Sequence, residues 1–236
     1  MKTIIIIPTY NEADNIKRLI IEIFNLDIPD LQIIVIDDNS PDKTADVVEK
    51  IKESMGWNTK IFLIKRNKKL GIGSAYIAGF KKALALNADY IFEMDADLSH
   101  NPQDIPLMLA KIADNDLVIG SRKIKGGKII GWNLKRKLMS NGAMFVSRLL
   151  LRLKPKDVTA GFRCYKKEVL QKIDLEKIKS NGYAFQEEML YRTQKLGFKI
   201  CEVPVIFRDR KFGQSKLSKK DILEFFLIIF KLRFKK

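Results

Sequence analysis

The sequence predicts an α/β fold, a mostly parallel sheet flanked by helices. Short apolar runs rich in β-branched residues alternate with segments whose apolar residues recur every three or four positions. Continuous apolar runs are typical of strands that are buried on both faces, as in parallel sheets. A length of 236 residues also suits one compact α/β domain. The predicted strands are Thr3–Ile7, Gln32–Ile36, Ile61–Lys65, Tyr90–Met94 and Leu117–Ile119.

Helical patterns fill the gaps between these strands. They include Ile16, Leu19, Ile20 and Ile23 in the first gap, Val48 and Ile51 in the second, Ala75 and Ala78 in the third, and residues 105–112 after Pro102. Gly71 and Gly73 indicate a tight turn at the start of the third helix. A dinucleotide fingerprint is not expected there, because position 76 is Tyr. Ligand sites of open parallel sheets lie at the carboxyl ends of the strands, so the residues that follow the strands are the first candidates.

The basic charge of the chain is concentrated in its second half. The chain has 44 Lys and Arg against 28 Asp and Glu, a formal net charge of +16. The stretch from Arg122 to Lys154 holds ten basic residues and no acidic one, and a second basic run begins at Arg208. Such an excess predicts a polyanionic partner. Nucleic acid is not expected, because no helix-turn-helix, zinc or single-strand-binding pattern is present.

Two amphipathic segments share this basic character. Residues 133–154 place Leu134, Leu138, Phe145 and Leu149 among Lys and Arg, and residues 218–236 form a similar aromatic and basic tail. Such helices suit the plane of a membrane interface. The alternative is a helix that faces the core and has a solvated charged side. No apolar run approaches the roughly 20 residues that span a bilayer, so we expect peripheral membrane contact.

The strongest chemical signal is Asp95-Ala96-Asp97, directly after the fourth predicted strand. Where the backbone turns at a strand end, both carboxylates can approach one divalent cation. A hard oxygen site suits Mg²⁺ or Mn²⁺, which then bridges phosphates. Asp-x-Asp alone is a weakly specific signal. Its position at the end of a strand of an α/β sheet makes it more specific.

Two further acidic turns follow the first and second strands. Residues 8–12 include Tyr10, which offers a stacking face, and Glu12 at a helix start. Residues 37–44 begin with paired carboxylates that can accept hydrogen bonds from a base or ribose. Helix capping is the competing interpretation of both turns, since Ser40 and Asp42 are good caps.

A basic set complements these acidic turns. Arg122 follows the fifth strand, and Arg136 and Ser140 share one helix face. A guanidinium and a hydroxyl in that arrangement can grip one phosphate. Arg210 and Lys216 flank Gly213, whose tight turn lets Lys216 reach back. A solvated basic loop is the alternative for this last segment.

Taken in order, these segments resemble the dolichyl- and polyprenyl-phosphate mannosyltransferases of glycosyltransferase family 2. The motifs that carry the resemblance are residues 8–12 (Pro-Thr-Tyr-Asn-Glu), 37–42, 95–100 (Asp-Ala-Asp-Leu-Ser-His), 120–122 and 213–216. The resemblance runs from Ile4 to about Leu217. We expect residues 1–217 to form the catalytic domain and residues 218–236, because of their amphipathic pattern, to form a membrane-interface helix. The resemblance implies a Rossmann-like glycosyltransferase-A fold. It also implies GDP-mannose as the donor.

The resemblance implies a role for each site residue. Nucleotide-sugar contacts are expected from Pro8, Tyr10, Glu12, Ile36, Asp38, Asp95, Ala96, Asp97, Arg210 and Lys216. Asp97 and Asp95 are expected to hold the metal, and Ser99 stands where some relatives place a Gln that serves the metal. The acceptor phosphate is expected at Arg122, Arg136 and Ser140. Asp95, Asp97 and Arg122 are thus the predicted catalytic residues. The protein is expected at the cytoplasmic face of a membrane. The sequence leaves open whether a separate membrane-anchor subunit is a further partner.

The expected reaction is an inverting displacement by a lipid monophosphate, which is already ionised near neutral pH and needs no strong base. Two rivals keep the fold: a UDP-glucose-using polyprenyl-phosphate glucosyltransferase, and an enzyme with a soluble acceptor. The latter needs a base, for which Asp157 and Glu188 are candidates. A third rival, a nucleotidyltransferase, usually has a Gly-rich loop after its first strand, where this chain has Pro-Thr-Tyr-Asn-Glu.

Overall fold

A computed structural model describes residues 1–178, 180, 182–209 and 219–234. Its strands are β1 Thr3–Thr9, β2 Leu31–Asp37, β3 Ile61–Lys65, β4 Tyr90–Glu93, β5 Leu117–Ser121, β6 Lys128–Ile130, β7 Arg163–Lys166, β8 Ile200–Pro204 and β9 Ile206–Arg208. Its α-helices are α1 Ala13–Phe24, α2 Thr44–Ser54, α3 Ile72–Ala85, α4 Ile105–Ile112, α5 Leu134–Leu151, α6 Lys167–Lys172, α7 Gly182–Lys195 and α8 Lys219–Phe234. Short 3₁₀ turns lie at Pro102–Asp104 and Leu175–Lys177.

Seven strands form the central sheet in the order β3-β2-β1-β4-β7-β5-β8. Only β7 runs antiparallel, to both of its neighbours β4 and β5. The other six strands of this sheet run in one direction, so their carboxyl ends lie along one edge. The predicted mostly parallel α/β sheet is therefore confirmed. A small second sheet pairs β6 with β9 in parallel.

The hydrophobic core lies on both faces of the central sheet, which explains the continuous apolar strands. Alternate residues of β1 point to opposite faces: Ile4 and Ile6 belong to one buried cluster, and Ile5 and Ile7 belong to the other. Helix α3 packs closely on the first face. A Cβ atom at Gly79 would lie 2.4 Å from the side chain of Ile6, so this contact requires glycine.

All five predicted strands are present, with ends that differ by at most two residues. The sequence did not predict β6, β7, β8 or β9. Strand β7 has only four residues, Arg-Cys-Tyr-Lys, and the two at its ends are charged. Its position between β4 and β5 comes from pairing with distant strands, which a local pattern does not encode. Gly71 has φ of +95° directly before α3, as expected of the tight turn.

Candidate functional site

Four of the sequence motifs meet at one edge of the sheet. Strands β1, β2, β4 and β5 are parallel to one another and end at or just before the motifs at 8–12, 37–44, 95–100 and 120–122. The sheet topology therefore agrees with the expectation that the candidate site residues lie together at this edge.

The first two motifs are bound directly to each other. The N–H of Asp38 donates to the carbonyl of Thr9 at 3.1 Å, and the N–H of Ala13 donates to the Asp42 carboxylate at 3.0 Å. The same carboxylate accepts hydrogen bonds from the N–H and hydroxyl of Thr44. Asp42 thus binds the first residue of both α1 and α2, which supports the capping interpretation of this side chain. Tyr10 remains 39% exposed at the rim.

Asp38 has a partner that sequence reasoning missed. Its carboxylate pairs with the Arg66 guanidinium and accepts a hydrogen bond from the N–H of Leu70 at 3.3 Å. Arg66 also donates to the hydroxyl of Ser74 at 2.7 Å, at the start of α3. Arg66 directly follows β3, so the rule that ligand residues follow parallel strands would have found it. Ile36 has no exposed surface, and its side chain belongs to the core.

The acidic loop comprises residues 95–100 and forms a compact turn. The N–H of Ser99 donates to Oδ1 of Asp97 at 3.0 Å, and Leu98 adopts the left-handed conformation with φ of +60°. The N–H of Asp95 donates to Nδ1 of His100 at 3.2 Å. Ala96 is 3% exposed, so its side chain packs into the core, while Asp95 and Asp97 on either side of it are both partly exposed.

The donor set of the acidic loop fits a hard divalent cation. Its Asp95 and Asp97 supply carboxylate oxygens, and the buried hydroxyl of Ser99 has no hydrogen-bond partner among the described residues. Within those residues, no group of three His, Cys, Asp or Glu side chains is arranged to hold a metal. Mg²⁺ is commonly bound by one or two carboxylates together with substrate phosphates, so a two-carboxylate loop is sufficient.

Buried polar groups surround Asp95. The Tyr76 hydroxyl donates to Asp95 Oδ1 at 3.3 Å, and a Cβ at Gly161 would lie 3.8 Å from both carboxylate oxygens. Glu93, two residues earlier, has no exposed surface. Burial raises the pKa of Glu93 to about 7, against the lowering influence of the Arg163 guanidinium. Buried ionisable side chains, namely Tyr76, Glu93 and Arg163, therefore lie beneath the acidic loop.

Arg122 is held rigidly at the end of β5. Its backbone N–H and its guanidinium bind the Asp157 carboxylate with distances of 2.6 to 2.8 Å, and the guanidinium also donates to Thr159 at 2.9 Å. Although burial alone raises it, the charge and hydrogen bonds of Arg122 hold the pKa of Asp157 below its usual value. Asp157 is therefore a fixed anion that orients Arg122.

Arg136 lies next to Arg122 across one indole ring. The Arg136 guanidinium carbon is 4.1 Å from the Trp132 ring centroid, and that of Arg122 is 5.8 Å from it. Arg136 also pairs with Asp209 at 2.9 Å, and its side chain is 32% exposed. Ser140 lies one turn further along α5 and is half-buried. The structure thus brings the two predicted acceptor arginines together, near Trp132, an aromatic residue outside the sequence motifs.

Aromatic rings connect the acidic loop with the arginines. The Phe207 ring centroid lies 5.8 Å from His100 and 5.9 Å from Trp132. The Arg122 guanidinium carbon lies 5.4 Å from the same Phe207 ring. Phe207 belongs to β9, a strand the sequence did not predict, and no local signal marks it as a site residue. Of the predicted site residues, Arg210 and Lys216 lie outside the described residues.

Helix α5 turns one face toward the core and another toward solvent. Met144, Ser147 and Leu151 are buried. Leu134, Leu138, Phe145 and Leu149 are 62 to 72% exposed and fall within one narrow sector of the helix. In the part of α8 whose side chains are described, Leu227, Phe230 and Phe234 are also more than half exposed. No helix in the described part of the chain has the length and apolar content needed to cross a bilayer.

Comparison with curated proteins finds two close relatives over most of the chain. An undecaprenyl-phosphate mannosyltransferase from Micrococcus luteus is 40% identical over 218 residues, covering 92% of this chain and 88% of that protein. A polyprenol monophosphomannose synthase from Mycolicibacterium smegmatis is 38% identical over 224 residues, covering 94% and 83%.

Solved structures share the fold at low sequence identity. Glucosyl-3-phosphoglycerate synthase from Mycobacterium tuberculosis, in complex with Mn²⁺, UDP and glucosyl-3-phosphoglycerate, is 17% identical with a TM-score of 0.68, covering 98% of this chain and 80% of that one. The mannosyltransferase PcManGT from Pyrobaculum calidifontis, in complex with GDP-Man and Mn²⁺, is 17% identical with a TM-score of 0.62, covering 91% and 58%. These similarities confirm the predicted glycosyltransferase-A fold.

A family model decides the identity of the chain. The model described as glycosyl transferase family 2 matches residues 4–174, which include all four motifs at the edge of the sheet. Together with the two relatives near 40% identity, this match confirms the resemblance that the motifs predicted. The chain is a glycosyltransferase and belongs to glycosyl transferase family 2.

Proposed function

We propose that this glycosyltransferase transfers a mannosyl residue from GDP-mannose to a polyprenyl monophosphate, with inversion and with a divalent cation. The names of the two curated relatives, at 40 and 38% identity, support mannose as the sugar and a polyprenyl phosphate as the acceptor. GDP as the nucleotide rests on the resemblance of the motifs.

The observation that carries the proposal is the pair of arginines around Trp132. Two guanidinium groups that share one ring, each oriented by its own aspartate, form a preorganised site for a phosphate. Phe207 and His100 connect this pair to the acidic loop through ring contacts. Acceptor phosphate and donor diphosphate therefore have neighbouring places at one edge of the sheet.

The donor is assigned to the motifs at the ends of β1, β2 and β4. Tyr10 offers its exposed ring to the base, and the Asp38–Arg66 pair forms one wall of the nucleotide site. Asp95 and Asp97, with the Ser99 hydroxyl nearby, hold the cation. When bound, the cation neutralises the diphosphate and stabilises it as a leaving group.

The state of the candidate bases favours an acceptor that is already anionic. Asp157 is bound to Arg122, and Glu188 accepts hydrogen bonds from Ser180 at 2.6 Å and from Arg192 at 2.6 Å. A carboxylate held in such pairs is a poor general base. A phosphate monoester has a second pKa of about 6 and needs no base near neutral pH. This argues against the soluble-acceptor rival.

Helix α5 brings the acceptor site to a membrane surface. Arg136 and Ser140 lie on the same helix as the exposed Leu138 and Phe145. Lys and Arg beside that apolar face suit anionic head groups. We therefore propose peripheral binding, with the lipid tail of the acceptor left in the bilayer.

The direct test incubates the protein with polyprenyl monophosphate and either labelled GDP-mannose or labelled UDP-glucose, in the presence of Mn²⁺ or Mg²⁺. The proposal expects mannose label in the organic phase with GDP-mannose. Glucose label with UDP-glucose alone would replace the mannosyl assignment with the glucosyl rival.

A further inference from the structure

His100 is the only histidine of the chain, and it is the last residue of the acidic loop. Its Nδ1 accepts a hydrogen bond from the backbone N–H of Asp95 at 3.2 Å. A ring nitrogen that accepts a hydrogen bond carries no proton, so the neutral imidazole has its hydrogen on Nε2. This Nε2 lies 3.9 Å from Oδ2 of Asp95. One ring thus faces both the backbone and the carboxylate of the same residue.

The conformation of the acidic loop needs such a constraint. Leu98 has φ of +60°, a left-handed conformation that costs energy for a residue with a Cβ atom and that persists only when neighbours enforce it. Hydrogen bonds that hold the loop include Asp95 N–H to His100, Ser99 N–H to Asp97, and Arg208 N–H to the carbonyl of Ser99 at 3.2 Å. The Tyr76 hydroxyl also donates to the Asp95 carboxylate, whereas His100 binds the backbone of Asp95.

Aromatic packing fixes the plane of the imidazole. The His100 ring stacks on Phe162 with centroids 5.0 Å apart and an interplanar angle of 13°. Phe207 closes the other approach, edge to face at 5.8 Å. The His100 side chain is only 5% exposed, so these rings restrict tilting of the imidazole out of this plane.

We propose that His100 is the positioning residue of the acidic loop. As the neutral Nε2–H tautomer it closes the loop on the Asp95 backbone, and this sets the spacing of Asp95 and Asp97 for a divalent cation. Because Phe207 contacts both His100 and Arg122, the same ring also sets the position of the loop relative to the arginine pair. The cation in this inference rests on the proposed function, whereas the hydrogen bond does not.

The hydrogen bond can be measured without any ligand. In a chain labelled with ¹⁵N, a single histidine gives a single set of ring nitrogen signals. We expect an unprotonated Nδ1, a protonated Nε2 and a scalar coupling between Nδ1 and the amide nitrogen of Asp95 across the hydrogen bond. A protonated Nδ1, or two ring nitrogens without that coupling, would overturn the proposal.

Two variants separate positioning from packing. His100→Phe keeps an aromatic ring against Phe162 and Phe207 but removes the acceptor. His100→Asn removes most of the ring but keeps an acceptor oxygen near the position of Nδ1. Residues that orient metal ligands typically contribute roughly 10- to 100-fold to metal affinity. We therefore expect His100→Phe to weaken binding of Mn²⁺ in the presence of GDP by at least about tenfold, and His100→Asn to stay within about threefold of the wild type.

Calorimetric titration of Mn²⁺ and the melting temperature of each variant complete the test. Loss of Mn²⁺ affinity that follows the melting temperature, with His100→Asn the worse of the two, would assign His100 a packing role only and overturn the proposal. If the wild-type protein binds no Mn²⁺ with GDP, the cation of the proposed function is wrong. The coupling between Asp95 and His100 then decides the proposal on His100 alone.

Discussion

The two halves of the central sheet differ in how they build their part of the site. In the first half, an acidic motif begins at the end of β1, β2 and β4 or within two residues of it, and loop residues supply the proposed chemistry. In the second half, Arg122 follows β5, but its partners Asp157, Trp132 and Phe207 come from segments far apart in sequence. The acidic half is thus local in sequence, and the basic half is assembled by tertiary contacts. This difference predicts different consequences of substitution.

The largest effect is expected in the acidic half. Asp97→Ala removes one of the two carboxylates proposed for the cation, so turnover should fall at least about 1,000-fold, because loss of a metal contact removes several kcal/mol of transition-state stabilisation. Initial rates of label transfer to the organic phase measure this. Asp114→Ala changes an exposed aspartate beyond α4 and is the matched control. Full activity of Asp97→Ala would remove the acidic half from the catalytic account.

A smaller and more selective effect is expected in the basic half. Arg136→Ala removes the charge-assisted contact proposed for the acceptor phosphate, worth about 1.5–3 kcal/mol. The KM for polyprenyl monophosphate should rise roughly 10- to 100-fold, while the KM for GDP-mannose changes little. Lys135→Ala, an exposed neighbour on α5, controls for loss of charge alone. Equal changes in both KM values would show that the two halves do not divide the substrates.

The exposed face of α5 sharpens the membrane part of the comparison. The double variant Leu138→Glu with Phe145→Glu places two anions on the proposed lipid-facing side. Sedimentation with vesicles that contain anionic lipid should show affinity reduced by about tenfold or more, because each large apolar side chain contributes about 1.5 kcal/mol or more when buried. Activity on a water-soluble short-chain polyprenyl phosphate should remain within about twofold. Unchanged vesicle binding would remove α5 from the interface.

The smallest expected effect is on the pH dependence of stability, and it comes from a buried carboxylate near α5. Glu187 on α7 has no exposed surface, and burial raises its pKa to about 8, against the lowering influence of the Ser147 hydroxyl and the Arg163 guanidinium. The unfolded chain releases this proton near pH 4.5. Between that pH and about 8 the folded state therefore binds more protons than the unfolded state, and it becomes less stable as the pH rises. The free energy of unfolding should fall by about 1 kcal/mol between pH 6 and 7, which corresponds to about 2–4 °C in melting temperature.

Replacement by glutamine isolates this contribution. Glu187→Gln should flatten the decline of the melting temperature between pH 6 and 7, measured by differential scanning calorimetry. Glu53→Gln on the exposed side of α2 should leave the decline unchanged. An identical slope in wild type and Glu187→Gln would mean that the buried carboxylate is already ionised in the folded protein.

The sequence predicted the acidic half of the site better than the basic half, for a physical reason. Apolar periodicity predicts where strands end, and the residues that follow parallel strands lie at one edge of the sheet. The positions of Asp38 and Asp95 at this edge could therefore be predicted from the sequence. Arg66 follows the same rule but was overlooked. By contrast, Trp132 and Phe207 become site residues only because β6 pairs with β9, two strands of three residues each. Pairing between such short segments depends on the packing around them, which no local pattern describes.

The central claim is that the site presents arginines to an acceptor that is already an anion. The most direct measurement compares polyprenyl monophosphate with the free polyprenol as acceptors, under single-turnover conditions with labelled GDP-mannose. The account predicts transfer to the monophosphate and none above background to the alcohol. Transfer to the alcohol at a comparable rate would require a general base and would contradict the roles given to Arg122, Arg136 and Asp157.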